Sequence, residues 1–221
     1  MFRQLKEHNR LNETIFMGII TIICFSFSMF RYFYTKDHFL LSLNWNLFLA
    51  FIPWGLTSLM IVKPKFQSNK IILWLLLIIW FLFFPNAPYI FTDLVHITQK
   101  STMPLWFDLM LILTFAWVGL LFGLLSLWDL ERILRKSLNH TWISVISVCL
   151  LFLGSFGIYI GRDLRWNSWD VIREPFGLIY DIGGILVHPF QHPRAWGMTL
   201  SMFVFLNMVY WSFRIIRKKD E

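Results

Sequence analysis

Polar residues recur where the apolar runs of this chain break off. One run ends Phe84-Pro85-Asn86-Ala87-Pro88-Tyr89-Ile90-Phe91-Thr92-Asp93-Leu94-Val95-His96. On a helix, Asp93 and His96 are three apart and share a face. A carboxylate there favours the protonated imidazole or fixes its tautomer, although a plain surface pair uses the same residues. Asp108 lies about one turn into the next run, where a carboxylate is costly and faces a partner or water. The dipole of the helix N-terminus lowers that cost. A third cluster reads Gly161-Arg162-Asp163-Leu164-Arg165-Trp166-Asn167-Ser168-Trp169-Asp170. Arginine binds carboxylate or phosphate through two parallel bonds and stacks on indole. That chemistry suits a lipid headgroup or an anionic polymer, and also internal Arg–Asp pairing.

With Asn44 and Asn46, which flank Trp45, the candidate polar site comprises Asn44, Asn46, Asn86, Asp93, His96, Asp108, Arg162, Arg165, Asn167 and Asp170. Asn86, Asp93, Asp108, Arg162 and Arg165 are expected to converge in an outward-open pocket, with Trp45, Trp106 and Trp166 on its rim. Asp93, His96 or Asp108 could serve as acid or base, but no nucleophile–base pair is readable and no catalytic residue is assigned. The chain has no Walker lysine loop, HExxH, GxSxG or paired CxxC. Proline follows both His188 and His192, which disfavours the helical spacing a metal pair needs. The expectation there is a loop, with no metal and no cofactor.

The elements that must position these residues are membrane helices. Hydrophobic residues make up 57% of the chain and charged residues only 15%, well off the soluble average of roughly 25% charged. Several stretches reach the ~18 uncharged residues that cross a hydrocarbon core of ~30 Å. The expectation is an all-α polytopic bundle of about six spans in one integral membrane domain covering residues 1–221. The spans run about 14–33, 40–62, 71–91, 104–128, 141–161 and 195–216, with an exterior loop at 162–194. Within that loop Phe176–Val187 is apolar but only twelve residues long, which fits an interfacial or re-entrant piece. Pro85 and Pro88 each lack an N–H and crowd the carbonyl four residues back, so the third helix should break near its outer end. Asn86 is expected to cap the short piece that follows.

The basic residues flank apolar runs and form no stripe, so the net charge of +7 reads as topology and lipid contact, with no nucleic-acid partner. Thirteen Lys and Arg fall on the side of both termini and seven on the other. The positive-inside rule then sets both termini in the cytoplasm. Trp45, Trp106, Trp166, Trp169 and Trp196 would form an outer aromatic belt, and Trp74, Trp128, Trp142 and Trp211 an inner one. Gly119-x-x-x-Gly123 and Gly157-x-x-x-Gly161 offer small faces, expected to let the fourth and fifth helices approach. Cys24 and Cys149 sit mid-run and read as buried apolar packing.

Asn44-Trp45-Asn46-Leu47-Phe48-Leu49-Ala50, Phe84–Asp93, Pro104–Asp108 and Gly157–Asp170 resemble the bacterial domain-of-unknown-function 1361 family of multipass membrane proteins. The resemblance implies a bacterial plasma-membrane location and supplies no activity, substrate or catalytic residue. Asp163 stands where the family pattern has an apolar residue.

The reading that follows is a multipass membrane protein whose outward polar face binds a lipid headgroup or a cell-envelope component. A small-solute or lipid transporter and a membrane enzyme acting on an exterior lipid are the alternatives. Expected partners are membrane lipids, an envelope polymer or other membrane proteins.

Overall fold

A computed structural model describes residues 10–96 and 103–218. Six helical stretches are long and apolar enough to cross a membrane: Leu11–Thr35, Phe39–Val62, Lys70–Val95, Leu105–Leu134, His140–Arg162 and Pro193–Arg217. The protein is a multipass helical membrane bundle, as its composition requires. Its chain forms two compact units, Met1–Ile133 and Leu134–Glu221.

The first unit holds α1 (Leu11–Thr35), α2 (Ser42–Val62), the short α3 (Lys65–Ser68), α4 (Lys70–Phe83), α5 (Asn86–Tyr89) and most of α6 (Leu105–Leu134). Asn69 caps α4, accepting from the amides of Ile71 and Ile72 at 3.0 and 3.3 Å. At about 1.5 Å per residue α4 reaches only ~21 Å. The span is completed by α5 and a 3-10 turn, Ile90–His96.

The break between α4 and α5 lies at the double proline. Pro88 has no N–H to give the Phe84 carbonyl, and the Ala87 amide takes that carbonyl at 3.2 Å instead. This leaves Phe83 without its usual helical donor, and the Asn86 side-chain amide supplies one at 3.0 Å. Asn86 therefore repairs the end of α4. It does not cap α5, whose flanking Pro85 makes no side-chain bond.

Gly119 and Gly123 of α6 receive this broken segment. A Cβ on Gly119 would lie 2.8 Å from both the Ala87 carbonyl oxygen and Ile90 Cδ1, and one on Gly123 would lie 3.0 Å from Ala87 Cβ. The small face of α6 thus receives the third span. Ala87, Pro88 and Ile90 are buried there. Trp128, assigned to an aromatic belt from its position, is fully buried instead.

The second unit holds α7 (His140–Arg162), α8 (Asp170–Arg173), α9 (Pro175–Val187) and α10 (Pro193–Lys218). Asn139 caps α7 through the Trp142 amide at 3.0 Å. Helices α7 and α10 run antiparallel. Phe156 stacks with Trp196, Phe152 meets Phe203 edge-on, and Arg214 donates to Ser144 at 3.1 Å. Cys149 is exposed on α7 and not packed as expected, whereas Cys24 is buried. The thirteen residues of α9 are too few to span, and residues 189–191 form a 3-10 turn between the two histidines.

Candidate functional site

In the first unit the polar residues are held mostly in pairs. Arg31 of α1 donates from Nε to Asp108 Oδ1 at 2.7 Å and from Nη2 to Oδ2 at 3.2 Å. Both side chains are buried. The exposed Asp37 adds a longer contact to Arg31 at 3.5 Å. This two-pronged geometry is among the strongest a carboxylate can make. Asp108 is therefore held by an arginine, beyond any help from its helix dipole.

Asp93 is buried, not part of a surface pair, and its Oδ2 accepts from Asn46 Nδ2 at 3.1 Å. The 3-10 turn ends at His96, whose side chain lies outside the described part. Asn44 points elsewhere than its near neighbour Asn46: it donates to Ser28 at 2.8 Å and to the Leu41 carbonyl at 3.1 Å. The structure thus brings Asn46 and Asp93 together, while Asp108 and Asn86 have partners outside the expected set. Trp45 and Trp106 are exposed.

A second buried ionic cluster sits at the opposite ends of α1 and α6. Arg10 contacts Asp129 at 2.6 Å through Nη1, and Glu13 at 2.6 Å and Ser58 at 3.0 Å through Nη2. Trp54 Nε1 donates to Glu13 at 3.1 Å, and Thr57 to Asp129 at 3.3 Å. In the sequence Arg10 and Arg31 count among the basic residues that flank apolar runs, and Asp129 belongs to no motif. A signal was there, because Asp129 directly follows an apolar run and such acids are costly unless paired.

In the second unit the candidates separate. Asn167 and Asp170 pair with each other, Asp170 Oδ2 accepting from the Asn167 backbone at 2.7 Å and its side chain at 3.0 Å. Arg162 ends α7, and Arg165 is exposed with a left-handed φ of 63°. Apart from Trp166, expected on the pocket rim, the denser cluster is built of residues outside the expected set. Asp163 Oδ1 accepts from Arg194 at 2.6 Å, and Asp181 Oδ2 accepts from Trp166 Nε1 at 2.8 Å. Tyr159 forms a buried cluster with Ile185 and Ala195, and Trp196 packs against that cluster. Trp166 lies close to α9 because Gly177 has no side chain, as a Cβ there would meet the indole at 3.0 Å. Arg194 and Asp181 are far from the Arg/Trp string in sequence, so only folding reveals the grouping.

No curated protein and no solved structure matches the chain. The model of one family, described as a protein of unknown function (DUF1361), matches residues 45–209. That match covers α2 through most of α10, including the broken third span, Asp108 and the α7–α9 cluster. The chain therefore belongs to the DUF1361 family.

Proposed function

We propose that the protein binds the headgroup of a membrane lipid, or an envelope component presented in the same way, at the α7–α9 end of its second unit. In this reading that end lies on the non-cytoplasmic face of a bacterial plasma membrane, with both termini inside. The observation that carries it is the segment 172–190. Ile172, Phe176, Tyr180 and Phe190 are 85%, 84%, 82% and 97% exposed. With Ile179, Leu186 and Val187, also exposed, they run along α8, α9 and the 3-10 turn at residues 189–191. Arg165, Arg173 and Arg194 are exposed in and beside the same segment. A short helix with an apolar stripe and basic neighbours lies in the membrane interface, its stripe among acyl chains and its cations among headgroups. Arg10 and Arg31 are engaged by carboxylates. Omitting both removes one charge from each side of the bilayer, and the basic asymmetry behind the orientation survives.

The broken third span also suits a transporter, since such breaks often build binding sites. Here the segment is packed against Gly119 and Gly123 with Ala87, Pro88 and Ile90 buried, which favours a structural role for the break. Native mass spectrometry of the full chain from its membrane tests the choice. Bound phospholipid should survive purification, and Arg165→Gln with Arg173→Gln should reduce it. A lipid-free protein that passes solute across proteoliposomes would replace this reading with transport.

A further inference from the structure

The cluster formed by Tyr159, Asp163, Trp166, Asp181, Arg194 and Trp196 has an unbalanced chemistry that specifies a ligand. Asp163 pairs with the Arg194 guanidinium, whereas Asp181 is bound by the uncharged indole N–H of Trp166, so one carboxylate charge is unmatched by these contacts. Asp163 Oδ1 is bound by Arg194, but its Oδ2 is buried and finds no hydrogen-bond donor among the described residues. Trp196 Nε1 is buried and likewise finds no acceptor. Asp163 and Tyr159 are one turn apart on α7, and Trp196 packs against the buried cluster of Tyr159, Ile185 and Ala195. The orphan acceptor and the orphan donor therefore belong to one neighbourhood. Leaving either unmade is expensive. Arg194 is 83% exposed, so its guanidinium keeps donors for an incoming anion.

Resting on the lipid-headgroup reading above, we infer that this cluster recognises a headgroup carrying a primary ammonium and a phosphate, of the phosphoethanolamine type. The ammonium gives an N–H to Asp163 Oδ2 and neutralises the surplus charge. The phosphate takes the indole N–H of Trp196 and the free donors of Arg194, a residue suited to phosphate. Phosphatidylglycerol offers no cation, and phosphatidylcholine has a cation with no N–H to donate.

The test uses the full chain in bilayers of equal phosphatidylethanolamine, phosphatidylglycerol and phosphatidylcholine with matched acyl chains, the retained lipid being read by native mass spectrometry. A charge-assisted hydrogen bond predicts at least about a tenfold preference for phosphatidylethanolamine over either competitor. Asp163→Asn should bring retention near parity, and Trp196→Phe, which keeps an aromatic ring and loses the N–H, should weaken the preference severalfold. Asp170→Asn, outside the cluster, should leave it intact. Soluble O-phosphoethanolamine, lacking acyl chains, should displace the lipid poorly, and displacement at equal concentration would overturn a lipid source. Equal retention of all three lipids by the wild type, or a full preference in both Asp163→Asn and Trp196→Phe, overturns the ammonium assignment while leaving headgroup binding in place. Retention of no lipid at all overturns both.

Discussion

Arg31 and Asp108 close one end of a clamp between α1 and α6, and Arg10 and Asp129 close the other. The arginines are twenty-one residues apart on α1 and its N-cap, and so are the aspartates on α6. At 1.5 Å per residue each interval spans about 31 Å, close to the ~30 Å hydrocarbon thickness. The two helices are antiparallel, so equal spacing lets both pairs form at once, one near each boundary of the apolar layer. Lipid supplies no hydrophobic force between helices, and these buried pairs fix which helix faces which.

Breaking one partner of the Arg31–Asp108 pair should therefore cost far more than removing both. Asp108→Asn or Arg31→Gln strands a buried charge or its hydrogen bonds, for which about 3–5 kcal/mol is expected. Arg31→Met with Asp108→Leu should recover much of that loss. Thermal unfolding in detergent measures it, and strictly additive effects would remove the clamp from the account.

The glycines of α6 make a sharper steric test. Gly119→Ala drives a Cβ toward the Ala87 carbonyl oxygen, a backbone atom that cannot swing aside. A loss of about 1–3 kcal/mol follows, larger for Gly119→Leu. Gly18→Ala on α1 has nothing within 4 Å of the new Cβ and should be neutral or slightly stabilising, as alanine is the better helix former. Equal effects at the two positions would mean that the third span does not pack here.

At the break, Asn86→Ala removes the donor to the Phe83 carbonyl. An unsatisfied group in an apolar layer costs about 1–3 kcal/mol. Asn86→Asp cannot donate when ionised and should do no better. Hydrogen exchange around residues 84–89 should rise in both variants, and unchanged protection would transfer the repair to another group.

The proposed orientation is checked by alkaline phosphatase fusions. Activity is expected at Ser168 and none at Asn139. The reverse pattern would invert the protein and move the α7–α9 end to the cytoplasmic side.

The number, type and rough limits of the spans were legible in the sequence because they depend on local quantities. About twenty apolar residues satisfy their own backbone in a helix whatever surrounds them, and two prolines three apart interrupt the helix that contains them. The short apolar helix α9 was readable for the same reason, by length alone. Partner choice was decided only in three dimensions. Asp108 found Arg31, which lies seventy-seven residues away in the chain, and Asp93 found Asn46. Gly119 and Gly123 met the broken third span, and Asp163 met Arg194. A spacing pattern states that a buried charge or a small face must be matched. Which residue matches it depends on helix register and contact across the fold, and those arise from packing among elements distant in sequence.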